Sequence, residues 1–204
     1  MTISFPIDAP TAFRESDVTL TYAGAVVKDP NPYNFITQIQ EWDGSAWGLT
    51  IALDPNDRET MAPWMAFLLS LRGPRGSFMW GPVLLGTPLG AVGGTPLVKG
   101  AGQTGFTLVT DGWPNSTLVL KKGDLFQVGT RFHMITADAT TSGSGEVTLD
   151  FCPAIREAGV PADNAPIITS NPRGMFRLVD SQVPILRAQR DKLIPIQVTA
   201  EEAL

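Results

Sequence analysis

The sequence holds one cysteine and one histidine. A lone Cys152 excludes an intramolecular disulfide and a cysteine-based structural zinc site. A lone His133 excludes paired-histidine metal motifs such as HExxH. Charge is also scarce: 17% of the 204 residues, against the usual ~25%. With Gly 20 and Pro 17, that counts against a helical bundle or coiled coil and for many turns and short strands. Basic residues number 15 against 20 acidic, net −5, which disfavours a nucleic-acid binder that works by neutralising phosphates. There is no long apolar run. The nearest, Met61–Leu71, is broken by Pro63 and Ser70 and falls short of the ~20 residues that span a bilayer. The first ten residues lack the basic and apolar regions of a secretory signal. The chain therefore reads as kept in the cytosol, or built into a particle assembled there, with no membrane insertion.

What is present is enough apolar sequence, 43%, for a substantial core. Val18–Tyr22 alternates as a strand does. Lys28–Asn34, with Pro30 and Pro32, reads as a loop. Phe35–Trp42 resumes a strand, Asp43-Gly44-Ser45-Ala46 signals a hairpin turn, and Trp47–Leu53 is its return. On this reading Trp42 and Trp47 flank one turn as a cross-strand pair. One helix is predicted next. Asp54–Asp57 offer a cap, Met61, Trp64, Met65, Leu68 and Leu69 form an apolar stripe, and Gly73-Pro74 end it. Pro63 fits best with Thr60 as the cap, or with a kink. Ser77–Trp80 begins another strand.

From Gly86 to Gly105 the text reads as a winding connector. Five short strands follow: Phe106–Val109, Thr117–Leu120, Leu125–Val128, Arg131–Thr136 and Glu146–Phe151. Their tight turns suggest a small closed barrel or sandwich. After a second connector, Ala158–Pro166, come Gly174–Val179, Val183–Ala188 and Ile194–Thr199. Pro184 and Pro195 demote the last two to edge or bulged strands. These segments are too few to stand alone and are expected to return to the N-terminal sheet. The predicted class is mainly β: a sandwich or tube-like β domain with one α-helix, residues 1–85 plus 165–204, carrying an inserted OB-like barrel, residues 86–164.

His133 is the sole candidate base, and on a short barrel strand it reads as structural. Cys152, before Pro153, reads as a small buried hydrophobe. The pair Asp54 and Asp57 reads as helix capping. The pair Glu201 and Glu202 lies at a chain end. Gly100, Gly102 and Gly105 match GxGxxG, but a β-rich segment and no helix follows, so phosphate binding is not expected. No catalytic, cofactor or metal residue is assigned. Unsatisfied edges and proline-bearing segments suit a subunit that completes its sheets with neighbours.

Three stretches carry a family resemblance: Gly102–Leu108, Lys122-Gly123-Asp124-Leu125-Phe126-Gln127-Val128, and His133–Thr136. Together they resemble the inserted OB-type domain of short distal tail proteins of long-tailed, non-contractile bacteriophages. The helix segment Trp64–Leu68 is consistent with that family's first domain. The resemblance implies a hexameric homo-oligomeric ring at the distal end of a virion tail, between the tail tube protein and the baseplate hub or tail-tip protein. The barrel would face outward, supporting tail fibres or touching host polysaccharide. DNA would pass through the lumen without being bound. No catalytic residues and no cofactor are implied. Lys28, Pro30, Pro32, Tyr33, Trp42 and Trp47 are the expected subunit contacts, on a hairpin and a proline loop that make natural arms. The alternatives are a stand-alone carbohydrate-binding module, with Trp113 and Phe132 as its glycan contacts, and a tail-associated hydrolase dependent on His133.

Overall fold

The computed structural model describes residues 3–10, 15–54, 57–190 and 192–203. In chain order the strands are β1 (Ile7–Asp8), β2 (Glu15–Pro30), β3 (Thr37–Leu53), β4 (Ser77–Trp80), β5 (Leu97–Val98), β6 (Gly105–Asp111), β7 (Leu118–Leu120), β8 (Leu125–Val128), β9 (Arg131–Ile135), β10 (Ala139–Thr140), β11 (Val147–Ile155), β12 (Ile167–Ile168), β13 (Gly174–Leu178), β14 (Ala188–Gln189), β15 (Lys192–Leu193) and β16 (Ile196–Glu202). Among the described residues there is one α-helix, α1 (Arg58–Leu71), which follows β3. The fold is mainly β with one helix and a barrel, as predicted.

Contacts divide the chain into two compact units. The first comprises the described residues of Met1–Thr21, Trp47–Trp80 and Gly174–Leu204. Its six-stranded sheet runs β1-β4-β13-β16-β3-β2, so the C-terminal strands do return to the N-terminal sheet. β16 is central: it pairs antiparallel with β13 on one side and with β3 on the other, Ile196 opposite Leu53 through Glu201 opposite Gly48. The predicted edge role fails because the strand starts one residue beyond Pro195, so the ring takes no place in the ladder. Val183–Ala188 is not a strand; only Ala188–Gln189 is extended, paired with Lys192–Leu193 in a small separate hairpin.

Helix α1 is capped three residues earlier than a Thr60 cap would place it. Asp57 caps it, accepting the Thr60 N–H at 2.8 Å and the Thr60 hydroxyl at 2.9 Å. Pro63 then falls sixth in the helix, where it cannot donate to the Glu59 carbonyl. The buried stripe is Met61, Trp64, Phe67, Leu68 and Leu71. Phe67 meets Phe78 of β4 edge-on at 5.4 Å, and Phe78 and Trp80 both lie against Phe176 of β13. This aromatic run lays the helix on the sheet.

The second unit comprises Tyr22–Ala46 and Gly81–Arg173. Its barrel runs β12-β8-β9-β11-β6-β5. The two end strands are joined by a Leu97–Pro166 bridge, with backbone bonds Val98 N–H to Ala165 O (3.0 Å) and Ile167 N–H to Pro96 O (3.0 Å). Four of the five expected strands stand in this sheet, joined by two others; the fifth, expected at Thr117–Leu120, is β7, which pairs instead with β10 in a separate two-stranded sheet. The extra pieces, β5 and β12, come from the first connector and from just past the second. They were missed because each is only two residues long, too short to show alternation. Leu108, Trp113, Leu120, Phe126, Ile135, Leu149 and Phe151 belong to the barrel core.

The tip of the β2–β3 hairpin is also not where the sequence suggested. β3 runs unbroken through Asp43-Gly44-Ser45-Ala46. Gly44 is required by close approach instead: a Cβ there would lie 2.7 Å from the Ala25 Cβ. The chain reverses at residues 31–36. There Asn31 N–H bonds Ile36 O, and the Asn31 and Asn34 side chains accept the N–H groups of Tyr33 and Ile36.

Candidate functional site

The β2–β3 hairpin beyond Thr21 and before Trp47 forms an arm. It is tied to the barrel through Ser45, which is 1% exposed. Ala154 N–H donates to the Ser45 hydroxyl at 2.9 Å, and Arg156 Nη2 donates to the Ser45 carbonyl at 2.7 Å. Nearby, burial and then a hydrogen bond with the Cys152 thiol raise the Tyr22 phenol above its ordinary pKa. Cys152 is accordingly a half-buried free thiol with a polar neighbour.

Despite this anchoring, the large apolar side chains of the arm are open to solvent. Tyr22, Val26, Val27, Tyr33, Phe35, Ile36, Ile39 and Trp42 are all exposed, Tyr33 at 94%. They are eight of the eighteen exposed large apolar side chains among the described residues. Single exposed apolar residues are ordinary, but a concentration of this kind marks an interaction surface. The expected contact residues divide on this point. Lys28, Pro30, Pro32, Tyr33 and Trp42 are exposed on the arm. Trp47 is not: it is 6% exposed, shares a buried face with Leu49, Ile51 and Leu53, and its N–H donates to the Glu202 carboxylate at 3.1 Å. Trp42 and Trp47 do not flank a turn, because β3 runs unbroken between them.

The expected glycan platform is corrected in the same way. Trp113 is 4% exposed, and its indole N–H donates to the Thr110 hydroxyl at 2.8 Å inside the barrel core. Phe132 is 0% exposed. Neither ring offers a face on which a sugar could stack.

A recess of about 350 Å³ opens at one end of the barrel, lined by Gly129, Thr130, Arg131, His133, Ile155 and Pro161 among others. His133 itself is completely buried. Its Nδ1 lies 2.7 Å from the Pro153 carbonyl oxygen; that oxygen can only accept, so Nδ1 carries the proton. The ring stacks on Phe126 at 5.3 Å and meets Phe151 edge-on at 4.8 Å. Burial pushes its pKa down to about 3; the Pro153 bond opposes this and the Arg131 charge adds to it. The imidazole is neutral and held as an aromatic of the barrel interior. The partner of its Nδ1 is a backbone carbonyl, where a catalytic triad would place a carboxylate.

The remaining candidates separate. Asp57 is engaged as the cap, and the Thr60 N–H lowers its pKa. Glu201 is exposed and Glu202 buried, because neighbours on a strand face opposite ways. Gly100, Gly102 and Gly105 all adopt positive φ, and the strand β6 follows. Among the described residues no three His, Cys, Asp or Glu side chains cluster as metal ligands, and no helix is long and apolar enough to cross a membrane.

One surface was missed by the sequence reading. Val83, Leu84 and Leu89, at 86%, 95% and 71% exposure, stand on a loop of residues 81–89, with Leu85 beside them. The loop is firmly held. The Asp124 carboxylate accepts the N–H groups of Leu89 (2.8 Å), Gly90 (3.1 Å) and Lys121 (2.8 Å), and Asn171 N–H bonds Gly86 O at 2.7 Å. The available signal was the apolar run Val83-Leu84-Leu85 after Gly81-Pro82, just before the connector that was read from Gly86.

No protein-family model matches this chain, and no curated protein matches it.

Proposed function

We propose that this chain is a structural subunit that assembles with copies of itself into a ring, and that the ring is the distal tail element of a long-tailed bacteriophage. The observation that carries the assembly reading is the arm: a long two-stranded hairpin with eight exposed large apolar side chains. A second feature supports it. β2 is the end strand of the first unit's sheet, and among the described residues nothing pairs with its far side, which leaves a long edge open to a neighbour. Head-to-tail contacts of this kind close most simply as a cyclic ring. The phage assignment rests on the sequence resemblance, which also supplies the hexamer, the tail tube and hub neighbours, and passage of DNA through the lumen. The net acidic balance suits a lumen that does not hold DNA. The carbohydrate-binding alternative has lost its platform with the burial of Trp113 and Phe132. Electron micrographs of the concentrated protein, with native mass spectrometry, test the proposal. Six-fold annuli at six times the chain mass are expected. A species that remains monomeric at every concentration would falsify it.

A further inference from the structure

A ring contact is heterologous: each copy must carry two different patches, one that reaches and one that receives. This inference rests on the self-assembly reading above and names both patches. Among the described residues, twelve of the eighteen exposed large apolar side chains fall in two places, eight on the arm and four on the loop of residues 81–89. The other six, such as Ile3, Leu69 and Val179, are scattered.

We infer that the arm of one copy docks on the Val83–Leu89 loop of the next copy. Three arguments favour a second copy of this chain as the occupant. The first is area. The four loop side chains, 37–95% exposed, match part of the larger arm surface, and a contact burying about 500 Å² on each side reaches the ~1,000 Å² that a specific interface must clear. The second is economy: arm-on-arm pairing would cover one patch and leave Leu84 in water, whereas arm-on-loop pairing covers both. The third is pre-organisation. The loop is held by the Asp124 carboxylate and by the Asn171 backbone. A Cβ on Gly81 or Gly90 would run into the Pro172 or Val119 carbonyl. Its apolar side chains are therefore presented without the entropy loss that a mobile loop meets on binding.

The test is complementation between two surface variants of the full chain. Tyr33→Ser with Ile39→Ser disables the arm, and Leu84→Ser with Leu89→Ser disables the loop. All four positions are exposed, and circular dichroism verifies the fold. In sedimentation velocity the wild type is expected to grow beyond a dimer as its concentration rises. Each variant alone should associate at least about tenfold more weakly. Mixed, one good arm meets one good loop, so the mixture should form a dimer with one copy of each and stop there. If the loop variant still associates by itself, or the mixture is no stronger than its parts, the arm-on-loop pairing is overturned while self-assembly stands. If the wild type never associates, both fall.

Discussion

From Ser45 to Leu53, β3 alternates between buried and half-exposed positions; from Gln38 to Trp42 it is exposed at every position. One strand thus serves two environments. Its C-terminal part lies in the sheet, paired with β16 from Gly48 to Leu53, and its apolar residues fill one face as a half-buried strand should. Its N-terminal part has only β2 beside it, and two strands alone are marginal in water. Yet that part carries Ile39 and Trp42 in the open. Side chains of this kind add nothing to a core the arm does not have, so their value lies in contact with something else. The barrel presents the opposite case, with polar groups turned inward. Asp124, Thr141 and His133 are buried there, and each is spent on backbone groups: the N–H groups of Leu89, Gly90 and Lys121, the Pro114 carbonyl, and the Pro153 carbonyl.

The sharpest way to break the comparison is to shorten a side chain in the sheet part of β3. Leu53 is fully buried, so Leu53→Ala should cost ~2–5 kcal/mol of folding stability. Urea denaturation reads this directly, and a cost near zero would mean that the two parts of the strand do not differ. Second is Asp124→Ala, which strips three N–H groups of their acceptor. A loss of ~2–3 kcal/mol is expected, with faster hydrogen exchange at Leu89 and Gly90; unchanged exchange there would refute the idea of a braced loop. Third is acid. His133 has a native pKa of about 3 against ~6.5 unfolded. Above 6.5 both states are neutral and nothing changes. As pH falls from 6.5 towards 3 the unfolded chain alone takes up the proton, so stability falls, by at most about tenfold in the folding constant per pH unit. His133→Phe should flatten that part of the profile relative to wild type, and two parallel profiles would show that His133 is not the group responsible.

Much of this fold was legible in short apolar runs bounded by turn signals. Ser77–Trp80, buried on one face, and Leu125–Val128, buried on both, were read to the residue, because such runs between glycines leave little choice. The arm was legible only in part. Asp43-Gly44 has turn chemistry, but the glycine answers to Ala25 across the hairpin, a long-range reason that a local pattern does not contain. Trp113 and Phe132 show the same limit from the other side. In its Gly-Trp-Pro turn, Trp113 reads equally as a sugar contact or as a plug for the barrel end, and the closed barrel decides for the plug. The loop of residues 81–89 went unread because its firmness comes from Asp124 and Asn171, far along the chain.

The smallest effect expected is also the one most specific to the arm. Ile39 is 69% exposed, so Ile39→Ser removes little buried surface and should change the stability of the isolated chain by less than ~0.5 kcal/mol. The same change at Ile51, buried and only twelve residues further along the same strand, should cost several times more. Association ought to reverse that order. Ile39→Ser should weaken assembly at concentrations where the wild type associates, with its urea midpoint held at low concentration, because the side chain acts between copies and not within one. If Ile39→Ser unfolds the monomer as readily as Ile51→Ser, the arm is part of the folding core and its exposure has no bearing on assembly.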